Sequence, residues 1–317
     1  MKTLESLIGD AKRIALVGHT NPDGDCLGSL SAVWRYLKDN APEKEVTVYA
    51  GAVPAYLGFL FSDVPYETGD GEGRNYDLAV SLDASSETRI GAGLQAFKEA
   101  PRTLVIDHHE TNPGFGGVNH IEPKTSSTAE VLTVLMDPAK ISRSTAEKLY
   151  TGIIQDTGVF RYSCTSVRTL QTAGMLLEKG IDFAKIVETS VIDQPYREMR
   201  IRSRVVEDSR LFPEEKFIYG IAPLTLQKEY GVTSPELGTV VVELNAVKEA
   251  NVALFLYQHE DGTWKGSLRA KCDVNLAMIA AEFGGGGHAR AAGFSFEKDP
   301  ERTAEEVRRI LRERRNV

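Results

Sequence analysis

Short unbroken apolar runs alternate, in the first half of the chain, with stretches where apolar residues recur at helical spacing. Residues 13–19 hold the run Ile14-Ala15-Leu16-Val17 and predict a first strand. Across 25–40, Leu27, Leu30, Val33, Trp34 and Leu37 follow the period of an amphipathic helix. Residues 45–51, 77–83 and 103–109 predict three more strands, the last two ending in Asp83 and in Asp107-His108-His109. After a Gly- and Asn-rich loop over 111–119, helices are predicted over 125–135, 142–155, 167–178 and 182–192, with Gly180 as a stop signal. Apolar strands without polar alternation, separated by helices, describe a mostly parallel sheet covered on both faces. Ligands of such sheets collect outside the carboxyl ends of the strands, so His19, Asp83 and Asp107 are expected at one edge.

The second half carries its own pattern. Residues 197–210 alternate in charge sign, hold few large apolar residues and predict a helical connector. Then come a strand over 216–222, a mostly helical stretch over 234–246, and a hairpin over 251–270 turning at Asp261-Gly262. A helix over 274–283, a strand over 293–296 and a closing helix over 301–315 complete it; Glu early and Arg late in the last helix complement its dipole. The expected fold is therefore α/β in two domains: residues 1–190, a linker over 191–212, and a smaller α/β domain over 213–317.

Composition narrows the partners. The 317 residues, 42% hydrophobic and 26% charged, suffice for a sizeable core. A net charge of −8 argues against a broad basic face for long duplex nucleic acid, but leaves room for short oligonucleotides, whose few phosphates need only a local positive site. Cys26, Cys164 and Cys272 stand far apart and form no Cys-x-x-Cys pattern, which argues against a disulfide framework or a zinc finger and fits a reducing, cytoplasmic setting. The N-terminal residues lack a basic region followed by an apolar run, and no stretch is long enough to span a bilayer; no membrane partner is expected.

The chemistry is concentrated in His19, Asp23, Asp25, Asp83, Asp107, His108, His109 and Asp156. Taken singly, an Asp after a strand is a helix cap and a lone His is structural. Gathered at one sheet edge, nitrogen and carboxylate groups suit a hard or borderline divalent ion. Even four Asp and two His of this set exceed what one ion needs, so two ions sharing a carboxylate fit better, an arrangement that serves phosphoryl chemistry. Cys26 is read as a small residue at a helix start, with ligation the lesser alternative. Gly284 to Gly287 followed by His288 can expose backbone N–H groups to an anion, and Arg269 can fork onto a phosphate. No Gly-x-Ser-x-Gly elbow and no Gly-x-Gly-x-x-Gly turn is present, which argues against a serine hydrolase and a dinucleotide fold.

These motifs resemble the DHH phosphoesterase superfamily along nearly the whole chain. Asp107-His108-His109 is the motif that names it, His19 to Asp25 matches its first motif, Asp83 the second and Asp156 the fourth; the glycine loop with His288 looks like the DHHA1 signature. Length and paired domains are similar to the nanoRNases and pAp phosphatases within it. The resemblance implies a DHH catalytic domain with the active site in the cleft toward a DHHA1 substrate-binding domain. It implies two manganese ions, with Co²⁺ or Mg²⁺ as substitutes: His19 and Asp23 on one, Asp25, His108 and Asp156 on the other, Asp83 bridging. His109 would face the scissile phosphate, Asp107 would orient a ligand histidine, and Arg269, Gly285, Gly286, Gly287 and His288 would bind a phosphate or nucleotide end. The implied activity is hydrolysis of short oligoribonucleotides to mononucleotides, as an exoribonuclease, and of 3′-phosphoadenosine 5′-phosphate (pAp) to AMP, with a homodimer as the expected assembly. The alternatives are a soluble phosphodiesterase for linear or cyclic dinucleotides and a non-catalytic nucleotide-binding module.

Overall fold

The computed structural model describes residues 2–297 and 299–315 and divides into two units, residues 1–193 and 194–317. Met1, Lys298, Asn316 and Val317, which the expected domain limits include, lie outside the described residues.

In the first unit the elements run α1 (Leu4–Ile8), β1 (Arg13–Val17), α2 (Gly24–Asn40), β2 (Glu45–Tyr49), β3 (Tyr66–Glu67), β4 (Leu78–Leu82), α3 (Leu94–Glu99), β5 (Thr103–Asp107), β6 (Val118–Ile121), α4 (Thr128–Leu135), α5 (Arg143–Asp156), α6 (Val167–Leu177) and α7 (Phe183–Val187). The sheet has the order β3-β2-β1-β4-β5-β6 and every pairing is parallel. Buried Ile14, Leu16, Val80, Leu104 and Ile106 meet α2, α4 and α5 on one face. Ala15, Val17, Ala79 and Val105 meet Phe97 of α3 and Tyr49 on the other. Burial on both faces is why the central strands read as continuous apolar runs. Strands β1, β4 and β5 are neighbours, so their carboxyl ends coincide.

The expected elements recur with shifted limits. The helix expected from 125 begins at Thr128, because the Ser127 hydroxyl accepts from Glu130 N at 3.0 Å and makes Ser127 the cap. The stretch 182–192 is α7 followed by a single wide π turn over Glu188–Ile192.

The second unit comprises α8 (Tyr196–Glu207), β7 (Arg210–Phe212), β8 (Phe217–Ala222), α9 (Leu224–Tyr230), α10 (Val240–Ala246), β9 (Val252–Gln258), β10 (Trp264–Ala270), α11 (Leu276–Ala281), β11 (Gly286–His288), β12 (Ala291–Phe296) and α12 (Pro300–Arg315). Its sheet has the order β11-β12-β10-β9-β8-β7, antiparallel except for β8 with β9. Helix α8, within the stretch read as a connector, packs Ile201 and Val205 against Ile218, Leu244 and Phe255. Two apolar residues one turn apart suffice to seat it, despite the charge around them.

Helix α12 is pinned by Glu215, whose carboxylate accepts from Arg308 Nε and Nη2 at 2.6 Å each and from Arg312 Nη2 at 2.7 Å. Arg308, then Arg312, hold this carboxyl down at about 2. A depressed carboxylate stabilises the fold above its unfolded value, near 4.5, and that contribution fades as pH falls toward 2. Glu215→Gln is expected to melt below the parent at pH 7, with the gap closing toward pH 2; thermal denaturation of both at several pH values checks this.

Among the described residues no helix is long and apolar enough to cross a membrane.

Candidate active site

The strand order brings His19, Asp83 and Asp107 to one edge, and α2, α4 and α5 supply the rest. Asp23 is the N-cap of α2, its Oδ1 accepting from the backbone N–H of Asp25 and Cys26 at 3.1 Å each. Asp25 follows in the first turn and is fully buried. Its Oδ2 accepts from Thr128 N at 2.7 Å and its Oδ1 from Ala129 N at 2.9 Å, so it caps α4 from outside the helix. Asp156 closes α5 and lies 3.1 Å from His108 Nε2.

Asp83 is the centre of the set. Its Oδ2 stands 3.5 Å from His19 Nε2 and its Oδ1 3.6 Å from His108 Nε2, so one carboxylate oxygen faces each imidazole. Its backbone is left-handed, φ 59°, a conformation Asp tolerates better than most residues. Strain of this kind collects at functional sites, and here it aims the side chain between the two histidines. The Thr128 hydroxyl donates to Asp83 Oδ1 at 3.0 Å.

The two imidazoles are oriented alike. His19 Nδ1 lies 2.9 Å from Thr20 O and His108 Nδ1 3.4 Å from Thr125 O. A carbonyl can only accept, so Nδ1 carries the hydrogen and Nε2 is turned to the carboxylates, as metal-binding histidines require. His19 Nε2 is also 3.7 Å from Asp23 Oδ1.

Asp107 plays a different part. It is fully buried; Oδ1 takes the His109 Nδ1 hydrogen at 2.7 Å and Oδ2 accepts from Asn112 Nδ2 at 2.5 Å. The residue thus orients His109, whereas the expectation joined it to a ligand histidine. Burial works against its charge, but His109 and Asn112 hold its carboxyl below the usual range. In return Asp107 raises His109.

Electrostatically the site asks for cations. Burial, then Asp83 and Asp156, push Asp25 well above the normal carboxylate range; burial takes Asp156 up to about 6. Against the opposing effect of burial, Asp23 and Asp83 raise His19, and Asp156, Asp25 and Asp83 raise His108 to about 10. Protons stand where metal ions would compete for the same atoms. Four carboxylates (Asp23, Asp25, Asp83, Asp156) match the charge of two divalent ions. Donors about 2.1 Å from one tetrahedral ion lie about 3.4 Å apart, close to the His19–Asp83 and His108–Asp83 separations of 3.5 and 3.6 Å. Among the described residues, three groups have ligand atoms near enough to share an ion: His19, Cys26 and Asp83; Asp83, His108 and His109; Asp25, His108 and Asp156. Asp23 lies beside His19, and Asp25 with His108 and Asp156. The donor set fits divalent metal.

Gly152 of α5 makes room for this arrangement. A Cβ there would sit 2.7 Å from Asp25 Oδ1 and 2.6 Å from the Ala129 Cβ. Helix propensity alone favours alanine by about 1 kcal/mol, but overpacking costs about 1–3 kcal/mol. Overpacking wins, because α5 is tightly packed against α2 and α4 and both contacted atoms are buried. Gly152→Ala is expected to lower thermal stability and to weaken metal affinity about tenfold, as a displaced ligand support does; calorimetric metal titration checks the second effect.

In the second unit, Arg269 of β10 and His288 of β11 are each in register with Ala291 of β12. Opposed residues share a sheet face, so Arg269 and His288 flank one small side chain on the same face. The glycine stretch is a hairpin arm: Gly286, Gly287 and His288 form the exposed edge strand β11.

Two participants escaped the sequence reading, Thr128 and Asn112; Cys26 is read there mainly as a small residue at a helix start, and its sulfur lies near His19 and Asp83. Ser126-Ser127-Thr128 carried a signal, a run of hydroxyl residues at a helix start, but it reads equally as a cap.

An α/β chain with Asp-His-His at the end of a central parallel strand and this carboxylate set around it is a DHH protein. Residues 13–153 match the DHH family, N-terminal domain, and residues 215–315 the DHHA1 domain. The chain belongs to the DHH family, in the form with a DHHA1 domain following. It is similar to a Streptococcus mutans protein named probable bifunctional oligoribonuclease and PAP phosphatase NrnA, 28% identical over 298 residues and 92% of each chain. An uncharacterised protein of Mycoplasma pneumoniae is 31% identical over 286 residues, 88% of this chain and 85% of that one. An exopolyphosphatase-related protein from Bacteroides fragilis has a solved structure with TM-score 0.83, covering 96% of this chain and 94% of that one at 24% identity, which speaks for the fold.

Proposed function

We propose that this chain is a divalent-metal-dependent phosphoesterase that hydrolyses short oligoribonucleotides to mononucleotides and pAp to AMP. The observation that carries the reading is Asp83, buried and held in a left-handed turn with one oxygen toward His19 and the other toward His108. The names of full-length relatives give the substrate class.

His19, Asp23 and Asp83 would hold one ion, and Asp25, His108, Asp156 and Asp83 a second; manganese suits these donors, and cobalt or magnesium can use them. Such ions supply an activated water and positive charge at the phosphoryl oxygens. The chain's own residues supply orientation. His109, its Nδ1 hydrogen fixed on Asp107 and its proton affinity raised by that carboxylate, presents the second hydrogen of its imidazolium, on Nε2, to a phosphoryl oxygen. Asp107 in turn is fixed by Asn112, whose Nδ2 also donates to Ala84 O at 3.0 Å. Arg269 and His288 are the phosphate-binding pair of the second unit.

The test mixes purified protein and manganese with RNAs of two to five nucleotides, pAp, cyclic dinucleotides and pyrophosphate, resolving products over time. Mononucleotides from the RNAs and AMP from pAp are expected. Intact nucleotide binding without turnover of any substrate would make the chain a binding module instead.

A further inference from the structure

Cys26 lies at the start of α2, one residue past Asp25, and is fully buried. Its place is dictated twice. The Asp23 cap fixes the first turn, with Cys26 N donating to Asp23 Oδ1 at 3.1 Å. Gly18, at the end of β1, has no Cβ, and the sulfur takes the vacated space: a Cβ on Gly18 would fall 2.3 Å from Cys26 Sγ. That space adjoins His19, the next residue. The result is that Cys26 Sγ, a His19 ring nitrogen and an Asp83 oxygen all lie within 4.8 Å of one another. His19 Nε2 and Asp83 Oδ2 are themselves 3.5 Å apart.

The two sides of the centre therefore differ in chemistry. The Asp25, His108 and Asp156 group offers two oxygens and one nitrogen. The His19 group offers nitrogen, oxygen and sulfur. Thiolate selects zinc and similar borderline ions over magnesium or manganese, whereas carboxylate-rich sets do not.

We propose that Cys26 is a donor to the ion at the His19–Asp83 side, so that this side takes a thiophilic divalent cation such as zinc or cobalt while the Asp25–His108–Asp156 side takes a harder one. The proposal rests on the reading of these side chains as a two-ion centre, and makes that centre mixed in place of a manganese pair. On binding, the S–H bond breaks, the proton leaves to solvent, and the sulfur electron pair forms the bond to the cation; nothing is oxidised or reduced. The buried sulfur then has a role beyond filling the space over Gly18.

Cobalt reports this directly. Metal-free full-length protein is titrated with Co²⁺, and visible absorption bands show cobalt bound in a low-symmetry site. A near-ultraviolet thiolate-to-cobalt charge-transfer band is expected with the first equivalent, absent from Cys26→Ala and retained in Cys164→Ala, a needed comparison because Cys164 Sγ lies 3.6 Å from Asp156 O. Zinc affinity of Cys26→Ala is expected to fall at least about tenfold, in the range ligand-shell changes produce, while manganese affinity stays within about threefold. Cobalt bound by the parent protein without the charge-transfer band, or a band surviving in Cys26→Ala, overturns the proposal. The parent spectrum decides even if the variant fails to fold. The readout is independent of hydrolysis: a thiolate band in a protein that cleaves nothing upholds this inference and sinks the proposed activity, and turnover without the band does the reverse.

Discussion

Asp83→Asn is expected to abolish turnover while leaving the protein folded. Asparagine keeps the shape and tolerates the left-handed backbone at φ 59°, whereas alanine there adds strain of about 1–2 kcal/mol. The variant therefore isolates the charge. Losing the charge of a carboxylate shared between His19 and His108 removes the attraction that holds two cations together. Several kcal/mol of transition-state stabilisation depend on such ions, so a loss of about 4 kcal/mol, roughly a thousandfold in rate, is expected. The metal-free variant should melt no lower than the metal-free parent, because one of four crowded carboxylates, and one of the two that are buried, has lost its charge. The parent should gain stability when manganese is added, by linkage, and the variant should not. Steady-state hydrolysis and paired melting curves with and without manganese check both. Undiminished turnover in Asp83→Asn would refute the assignment of a bridging carboxylate.

Asp107→Asn tests the other half of the site. The asparagine amide can turn only one way at a time. If its oxygen meets His109, its NH₂ meets the Asn112 Nδ2 donor; if its NH₂ meets His109, the Nδ1 hydrogen loses its acceptor. Either arrangement leaves a buried donor opposed by another. Without the Asp107 charge the imidazolium loses its support, and a neutral ring that keeps its Nδ1 hydrogen, or one that has swung away, no longer presents Nε2 as a donor. Removing one oriented donor to an oxyanion costs about 10²–10³ in kcat, and about a hundredfold is expected here. Metal affinity should be unchanged, because Asp107 has both oxygens committed to His109 and Asn112. A fall in metal affinity parallel to the fall in kcat would make Asp107 a ligand and disprove its positioning role.

The fold was legible where burial is uniform. Strands β1, β4 and β5 are covered on both faces and announce themselves as apolar runs. The edge strands β3 and β6 were hidden: Tyr66–Glu67 is two residues long, and Val118–Ile121, which holds polar Asn119 and His120, is nowhere buried. Strand β11 was read as an anion loop, because glycine has no strand preference and only pairing with β12 extends it. Helix α8 looked like a connector because its charges outnumber its two buried aliphatics.

In the site, every carboxylate and imidazole was visible, since these types stand out at strand ends. Their supports were not. Thr128 reaches Asp83 across 45 positions of sequence, and nothing local marks which hydroxyl in Ser126-Ser127-Thr128 does so. The Cys26 sulfur was visible as a residue but not as a neighbour of Asp83, because Gly18 decides where it points.

Asp25 has a consequence in time. The same carboxylate that would bind a cation also receives the first N–H groups of α4. Its charge is claimed from both sides, by a helix dipole and by an ion, and protonation would loosen both together. Amide exchange at Thr128 and Ala129 should therefore slow when metal binds and quicken when a chelator removes it, so that two peptide hydrogens in a helix outside the motif serve as a clock for occupancy of the centre.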